Sequence, residues 1–264
     1  HTPGALQTIY DFCPDVKVIL WPNPHALERG AGDFLRRSFP KLTVANGVVS
    51  NGVPTTPELR KAWEDADFLL HSSGSDFPAH KDVAAWKAGT RKPYGIFPVS
   101  TDPVSGLGPG QIAQGGTLDE LRTAILNLGP NALPADMRRT INGASFMFCR
   151  DSISLSYLKH EAVQPPLLAL GPDTQLGMTQ RDDAWGREFM SANGLEHDAF
   201  LCLIPRLRYT MYTTDRPQDK IKASINREHV EHDMELFRSL ITRYIRETGK
   251  KVFLCPEMTY QIEV

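Results

Sequence analysis

An arginine and two aspartates stand where the chain turns polar directly behind apolar runs. Arg150-Asp151-Ser152 follows Phe146-Met147-Phe148-Cys149, and Asp173 follows Leu167-Leu168-Ala169-Leu170 across Gly171-Pro172. Carboxylates exchange protons and a guanidinium grips oxygen atoms, so this set would suit acid–base work on an oxygen-rich ligand. It also has a purely structural reading, in which Arg150 ties a strand end to a helix cap and Asp151 fills that cap. His71, Ser73 and Asp76 carry the polar chemistry of His71-Ser72-Ser73-Gly74-Ser75-Asp76, a small, flexible segment that fits a ligand loop or a plain surface turn. Arg206 and Arg208 lie just past the apolar run 200–204 and alternate, so both forks can point the same way. A guanidinium fork pairs with carboxylate or phosphate oxygens in a planar, two-bonded manner that lysine cannot copy. Glu257, behind Cys255-Pro256, is the carboxylate that would sit near them if the two strands are neighbours, and is otherwise an exposed turn residue.

The elements that must hold these residues follow from periodicity. The organising stretch, 145–173, reads strand, turn, helix, strand, turn: an apolar run buried on both faces, a cap at Asp151 or Ser152, Leu155, Leu158 and Ala162 on a core-facing side, then a second strand. Both polar turns thus fall at strand carboxyl ends, where open α/β sheets bind ligands. Upstream, strands are expected at 16–21, 42–44, 68–70 and 93–99, and helices at 5–12, 26–39, 57–66, 80–88 and 118–127. Segment 71–76 is read as a loop. Residues 102–117 hold five glycines and two prolines, too long for a simple turn, and are expected to be a mobile flap over the site. Downstream, 177–181 reads as a linker, 182–193 as a helix stopped by Gly194, 200–204 as a strand, and 208–222 as a polar loop. A long helix ending at Thr248-Gly249 and a strand at 251–255 close the chain. The alternation predicts an α/β protein of two doubly wound lobes, 1–178 complete and 179–264 with only two convincing strands.

Composition excludes several classes. Of the 264 residues, 41% are hydrophobic and 23% charged, which is ordinary globular usage, and a net charge of −2 with pI near 6.5 argues against a nucleic-acid partner. Cys13, Cys149, Cys202 and Cys255 form no C-x-x-C pair and read as buried free thiols in a reducing compartment. No apolar run approaches the ~20 residues of a membrane span. A cytoplasmic location is therefore expected. Glycine-rich nucleotide loops, a Gly-x-Ser-x-Gly elbow and a His-Glu-x-x-His pair are missing, and the spacing of His229 and His232 does not favour a metal, so no metal and no cofactor are expected.

The order Arg150-Asp151-Ser152-Ile153-Ser154-Leu155-Ser156-Tyr157-Leu158, then Leu170-Gly171-Pro172-Asp173, resembles the polysaccharide pyruvyl transferase family, whose members carry Arg-Asp-x-x-Ser-x-x-x-Leu after an apolar strand and a strand ending in Pro-Asp. Weaker echoes run from His1-Thr2-Pro3-Gly4 through Leu20-Trp21-Pro22-Asn23 to Ile204-Pro205-Arg206-Leu207-Arg208 and Phe253-Leu254-Cys255-Pro256-Glu257. Where the family often has a glycine triplet, this chain has Ser72-Ser73-Gly74-Ser75-Asp76. The resemblance implies two Rossmann-like lobes of the kind seen in two-lobed (GT-B-like) glycosyltransferases, an acceptor-side lobe over 1–178 and a partial donor-side lobe over 179–264. It implies phosphoenolpyruvate as co-substrate and a glycan or lipid-linked sugar as acceptor, giving a pyruvate ketal in cell-envelope polysaccharide synthesis. Asp151, Asp173 and Glu257 are then the catalytic carboxylates, Arg206 and Arg208 bind the donor, and His71, Ser73, Asp76 and Arg150 bind the acceptor. Because the family has a Gly-Asn-x-Gly-Asp turn before the matching start and continues past the match to Glu257, material is expected to be missing at both ends. A nucleotide-sugar glycosyltransferase of the same fold and a non-catalytic carbohydrate-binding relative are the alternative readings.

Overall fold

Four apolar runs, each closed by a polar turn, assemble side by side as one parallel sheet. The computed structural model describes residues 1–23, 27, 31–72, 74, 77–101, 118–128, 132–209 and 217–255. In chain order the elements are α1 (Thr2–Phe12), β1 (Ile19–Leu20), α2 (Ala31–Ser38), β2 (Thr43–Val44), β3 (Val49–Ser50), β4 (Val53–Pro54), α3 (Pro57–Asp65), β5 (Leu69–His71), α4 (His80–Thr90) and β6 (Tyr94–Val99). They continue with α5 (Leu118–Leu126), α6 (Ala135–Asn142), β7 (Met147–Cys149), α7 (Ser152–His160), β8 (Leu168–Leu170), a 3-10 turn (Thr174–Gly177), α8 (Asp183–Ala192), β9 (Phe200–Leu203), α9 (Pro217–Thr248) and β10 (Lys251–Leu254). The protein is thus α/β. Its chain divides into two compact units, one ending at Gln180 and one beginning at Arg181.

In the first unit the sheet runs β5-β6-β7-β8, all parallel, with Ile96 opposite Met147 and Cys149 opposite Leu170. Helices flank it. Ile96, Val99, Met147 and Cys149 are completely buried, together with Leu59, Phe77, Ile141 and Leu158 from the surrounding segments. Only β6 is buried along nearly its whole length; β7 alternates buried with half-buried residues and Leu170 of β8 is 56% exposed, so the expected burial on both faces is a property of one strand and not of the set. A smaller cluster of Leu6, Leu35 and Phe39 joins α1 to α2.

Several expectations need correction. His71 is the last residue of β5 rather than a loop residue. On α7 the buried face is Ser154, Tyr157 and Leu158; Ala162 lies past the helix end, exposed and at φ 53°. The hairpin β3–β4 escaped the reading, although Asn51-Gly52, at φ 50° and 79°, is the dipeptide that its tight turn requires. Helix α6 was likewise not anticipated. The supposed loop 208–222 is already helical from Pro217. Only Cys149 of the four cysteines is fully buried, and Cys13 and Cys202 are exposed. Among the described residues no helix is long and apolar enough to cross a membrane.

The second unit holds a two-stranded parallel sheet, β9 with β10, in the register Phe200 to Lys251 through Leu203 to Leu254. Gly194, at φ 59°, ends the α8 segment in the left-handed conformation its position predicted.

Candidate functional site

At the carboxyl edge of the four-stranded sheet, β7 and β8 each hand over to a turn capped by an aspartate. Asp151 sits at the N-cap of α7 in extended conformation, and its Oδ1 accepts the Ser154 N–H at 2.7 Å. That bond satisfies one of the first-turn donors a helix leaves unpaired. Its Oδ2 accepts two hydroxyls, from Ser154 at 2.8 Å and from Ser100 at 2.7 Å. Ser100 is the first residue after β6, so this carboxylate ties together the ends of two neighbouring strands.

Arg150 completes the bridge to the third strand. Its Nε donates to the Ser100 hydroxyl at 2.8 Å and its Nη1 to Asp173 Oδ2 at 2.7 Å. Asp173 in turn caps the 3-10 turn, accepting the Gln175 N–H at 3.0 Å, and its Oδ1 lies 3.1 Å from His1 Nδ1. The side chains of Arg150 and Asp173 keep 21% and 22% of their surface open, so the pair is neither sequestered nor fully solvated. Thr174 closes the other side through its hydroxyl, which donates to the His1 carbonyl at 3.1 Å. Gly4 is required there, since a Cβ would stand 2.2 Å from the Thr174 carbonyl oxygen.

Asp151 and Asp173 face the Arg150 guanidinium at this edge, and the His1 ammonium lies close enough to interact with both Asp173 and Arg150. Opposite charges attract over these few ångströms, so the Arg150 charge is already matched within the edge and offers a phosphate no unmatched cation. Behind it, burial and the charge of Asp151 push the Cys149 thiol up to about 12, so it acts as a buried apolar filler rather than a nucleophile.

His71 ends β5 with its ring edge-on to Phe77, centroids 4.6 Å apart. Burial lowers its pKa from 6.5 to about 4, so the imidazole is neutral near pH 7. Its Nδ1 and the hydroxyls of Ser72 and Thr101 are buried without a hydrogen-bond partner among the described residues. Ser73, Asp76 and Glu257, and the glycine-rich segment 102–117, lie outside the described residues.

In the second unit Arg206 and Arg208 are both exposed in the segment after β9. Arg208 is engaged: its Nε and Nη2 meet both oxygens of Asp233 on α9 at 2.6 and 2.8 Å. This hydrogen-bonded guanidinium holds the Asp233 carboxyl below its usual range. Asn226 grips the next residue, accepting the Tyr209 N–H and donating to the Tyr209 carbonyl, each at 2.9 Å.

Sequence reasoning singled out Arg150, Asp151 and Asp173, which meet in one network, but not Ser100, Thr101 or His1 as members of it. Ser100-Thr101 carried a usable signal, a polar pair directly behind an apolar strand, the same pattern as Arg150-Asp151. Among the described residues no cluster of three or more histidine, cysteine or acidic side chains is arranged to hold a metal ion. Comparison of the chain with protein-family models, with characterised proteins and with solved structures finds no match.

Proposed function

We propose that the protein is a pyruvyl transferase resembling the polysaccharide family, moving pyruvate from phosphoenolpyruvate onto a pair of glycan hydroxyls as a ketal. What carries the reading is the Arg150–Asp173 ion pair. The two halves of the motif, 23 residues apart, meet through it at the carboxyl ends of adjacent parallel strands. A motif whose separated pieces join in space behaves as one site rather than as two accidental turns.

In this reading the two units are Rossmann-like lobes of a GT-B-like enzyme, acting in the cytoplasm on a glycan or lipid-linked sugar. The first lobe receives the acceptor, which agrees with an edge whose one guanidinium is already paired with Asp173. The second supplies cations to the donor's phosphate and carboxylate. Arg206 is the first assignment there, because the resemblance places a donor-binding arginine early in that lobe. The reaction adds a proton to the methylene carbon of the enol, joins two acceptor oxygens to the adjacent carbon and releases phosphate. Each attacking hydroxyl gives up its proton. Asp173 is the carboxylate assigned to receive one of them, since its side chain keeps 22% of its surface open at the strand end that the motif marks.

The test is phosphate release from phosphoenolpyruvate in the presence of a panel of glycan acceptors that carry a pair of neighbouring hydroxyls. Release that requires both substrates, and that falls by roughly 10²–10⁴-fold in Asp173→Asn, is the expected result. Thermal stabilisation by a nucleotide sugar and not by phosphoenolpyruvate would overturn the proposal, because only a ligand of the folded state raises its melting point.

A further inference from the structure

The geometry points to Ser100 as a positioning residue that aims Arg150 at an uncharged oxygen of the acceptor sugar. The inference rests on the reading above, in which this edge meets a glycan. A guanidinium has five N–H donors. Arg150 spends its Nε–H on Ser100 and one Nη1–H on Asp173, which leaves Nη2 and the second Nη1–H with no partner among the described residues. With the side chain 21% exposed, those donors are the part of the fork a ligand can use.

Ser100 is able to set that orientation because its one hydroxyl works in both directions. It donates to Asp151 Oδ2 at 2.7 Å and accepts from Arg150 Nε at 2.8 Å. Its backbone is fixed too, since the Ser100 N–H donates to the Gly74 carbonyl at 3.0 Å and the Arg150 N–H to the Val99 carbonyl at 3.2 Å. Asp151 is itself immobilised as the cap of α7. The chain of restraint therefore runs from a buried helix start through Asp151 and Ser100 to the guanidinium, and a fork held at two points is turned toward its ligand before the ligand arrives. The ligand class follows from charge. The Arg150 charge is already matched by Asp173, so its fork offers an anion no unmatched charge, whereas a neutral hydroxyl or ring oxygen can accept an Nη2–H as it is.

The experiment titrates methyl β-galactoside, N-acetylmannosamine and inorganic phosphate into the protein by NMR, using wild type, Ser100→Ala, Ser100→Thr and Arg150→Lys. At least one sugar should bind wild type. Ser100→Ala should raise its Kd about tenfold, the scale of one hydrogen bond to a charged group, and Ser100→Thr, which keeps the hydroxyl, should recover most of the loss. The Arg150 Nε–H signal should be sharp in wild type and Ser100→Thr and broadened in Ser100→Ala, a change that a merely stabilising serine would not cause. Should Ser100→Ala fail to fold, Arg150→Lys decides, because it keeps the charge and loses the fork. Unchanged sugar affinity in the folded variants, displacement of sugar by phosphate, or no sugar binding to wild type would each overturn the inference. If the sugar results hold while no phosphate is released from phosphoenolpyruvate, the transferase reading fails and this site stands.

Discussion

Strands of the first unit bury Ile96, Val99, Met147 and Cys149 completely, whereas no residue of β9 or β10 in the second unit is buried. Both sheets are parallel and both follow apolar runs of similar composition, so strand sequence alone does not explain the contrast. Cover does. In the first unit α4, α6 and α7 contribute Val83, Trp86, Ile141 and Leu158 to one buried cluster with the sheet, and in the second α8 has no buried residue and large apolar groups such as Trp185 and Leu236 remain 61% exposed. A side chain at a sheet edge inherits the rigidity of what lies beneath it. The Arg150 network is accordingly anchored at Nε and Nη1 to strand ends of a well-covered sheet, while Arg208 is tied to one exposed helix.

The contrast should be sharpest where the first unit buries a charge. The Glu161 side chain has no exposed surface and is held by Arg138, which reaches both its carboxylate and its backbone carbonyl, and by the Ala132 N–H at 3.2 Å. Removing one partner of a buried pair strands the other. Arg138→Met should cost about 3–5 kcal/mol in urea unfolding. A loss below about 1 kcal/mol would mean that this unit, too, is held together at its surface.

Next in size is a pH effect at His71. Its folded-state pKa is lowered to about 4 by burial, from 6.5 in the unfolded chain. Above pH 6.5 both states are neutral there and the full stability is present. As pH falls from 6.5 to about 4 the unfolded chain takes up a proton that the folded one refuses, so up to about 3 kcal/mol is lost. Unfolding free energies at pH 7.5 and 4.5 should therefore diverge more in wild type than in His71→Gln. Equal slopes for the two proteins would show that the ring is solvated.

Gly95 probes the cover of the sheet directly. On β6, a Cβ at this position would stand 2.3 Å from the ring of Phe146, which is itself stacked on Phe68 and tilted against Phe148. Gly95→Ala forces that aromatic row to shift and should cost roughly 1–3 kcal/mol of overpacking. Thermal melting would reveal it, and an unchanged midpoint would show that the row yields freely.

These cases also mark where the sequence is legible. The sheet strands could be read because each is an unbroken apolar run closed by polar residues, and α3 because Thr56-Pro57 supplies both a cap oxygen and a first-turn proline, as the Leu59 N–H bond to Thr56 shows. Arg150 and Asp173 could be nominated separately for their positions behind strands. Their meeting could not, since it depends on β7 and β8 being neighbours in register, a property of the assembled sheet. Ser100 shared the polar-pair signal with Thr101, but its role could not be read for the same reason, because it depends on Asp151 and Arg150 arriving on either side of it. Helix α6 was lost to weak local signals, with a helix start at Pro134 that lacks a side-chain cap.

The smallest effect belongs to the second unit. Arg208 and Asp233 form a two-pronged pair, but it stands in solvent on an exposed helix, where screening and the entropy of ordering two long side chains leave little net stabilisation. Arg208→Lys keeps the charge and loses one prong, so the melting midpoint should move less than in any variant above. The carboxyl group is the more sensitive reporter. Asp233 is held below its usual range first by the hydrogen bond from Arg208, and a folded-state pKa depressed in this way stabilises above the unfolded value and is lost as pH falls through the folded one. In Arg208→Lys the Asp233 titration, followed by NMR, should therefore move upward, and that acid-side loss should begin at a higher pH. Added salt should shrink the difference, because screening acts on exposed pairs. An Asp233 titration identical in both proteins would mean that the fork does not hold this carboxylate, and Arg208 would rejoin Arg206 as a candidate for the donor.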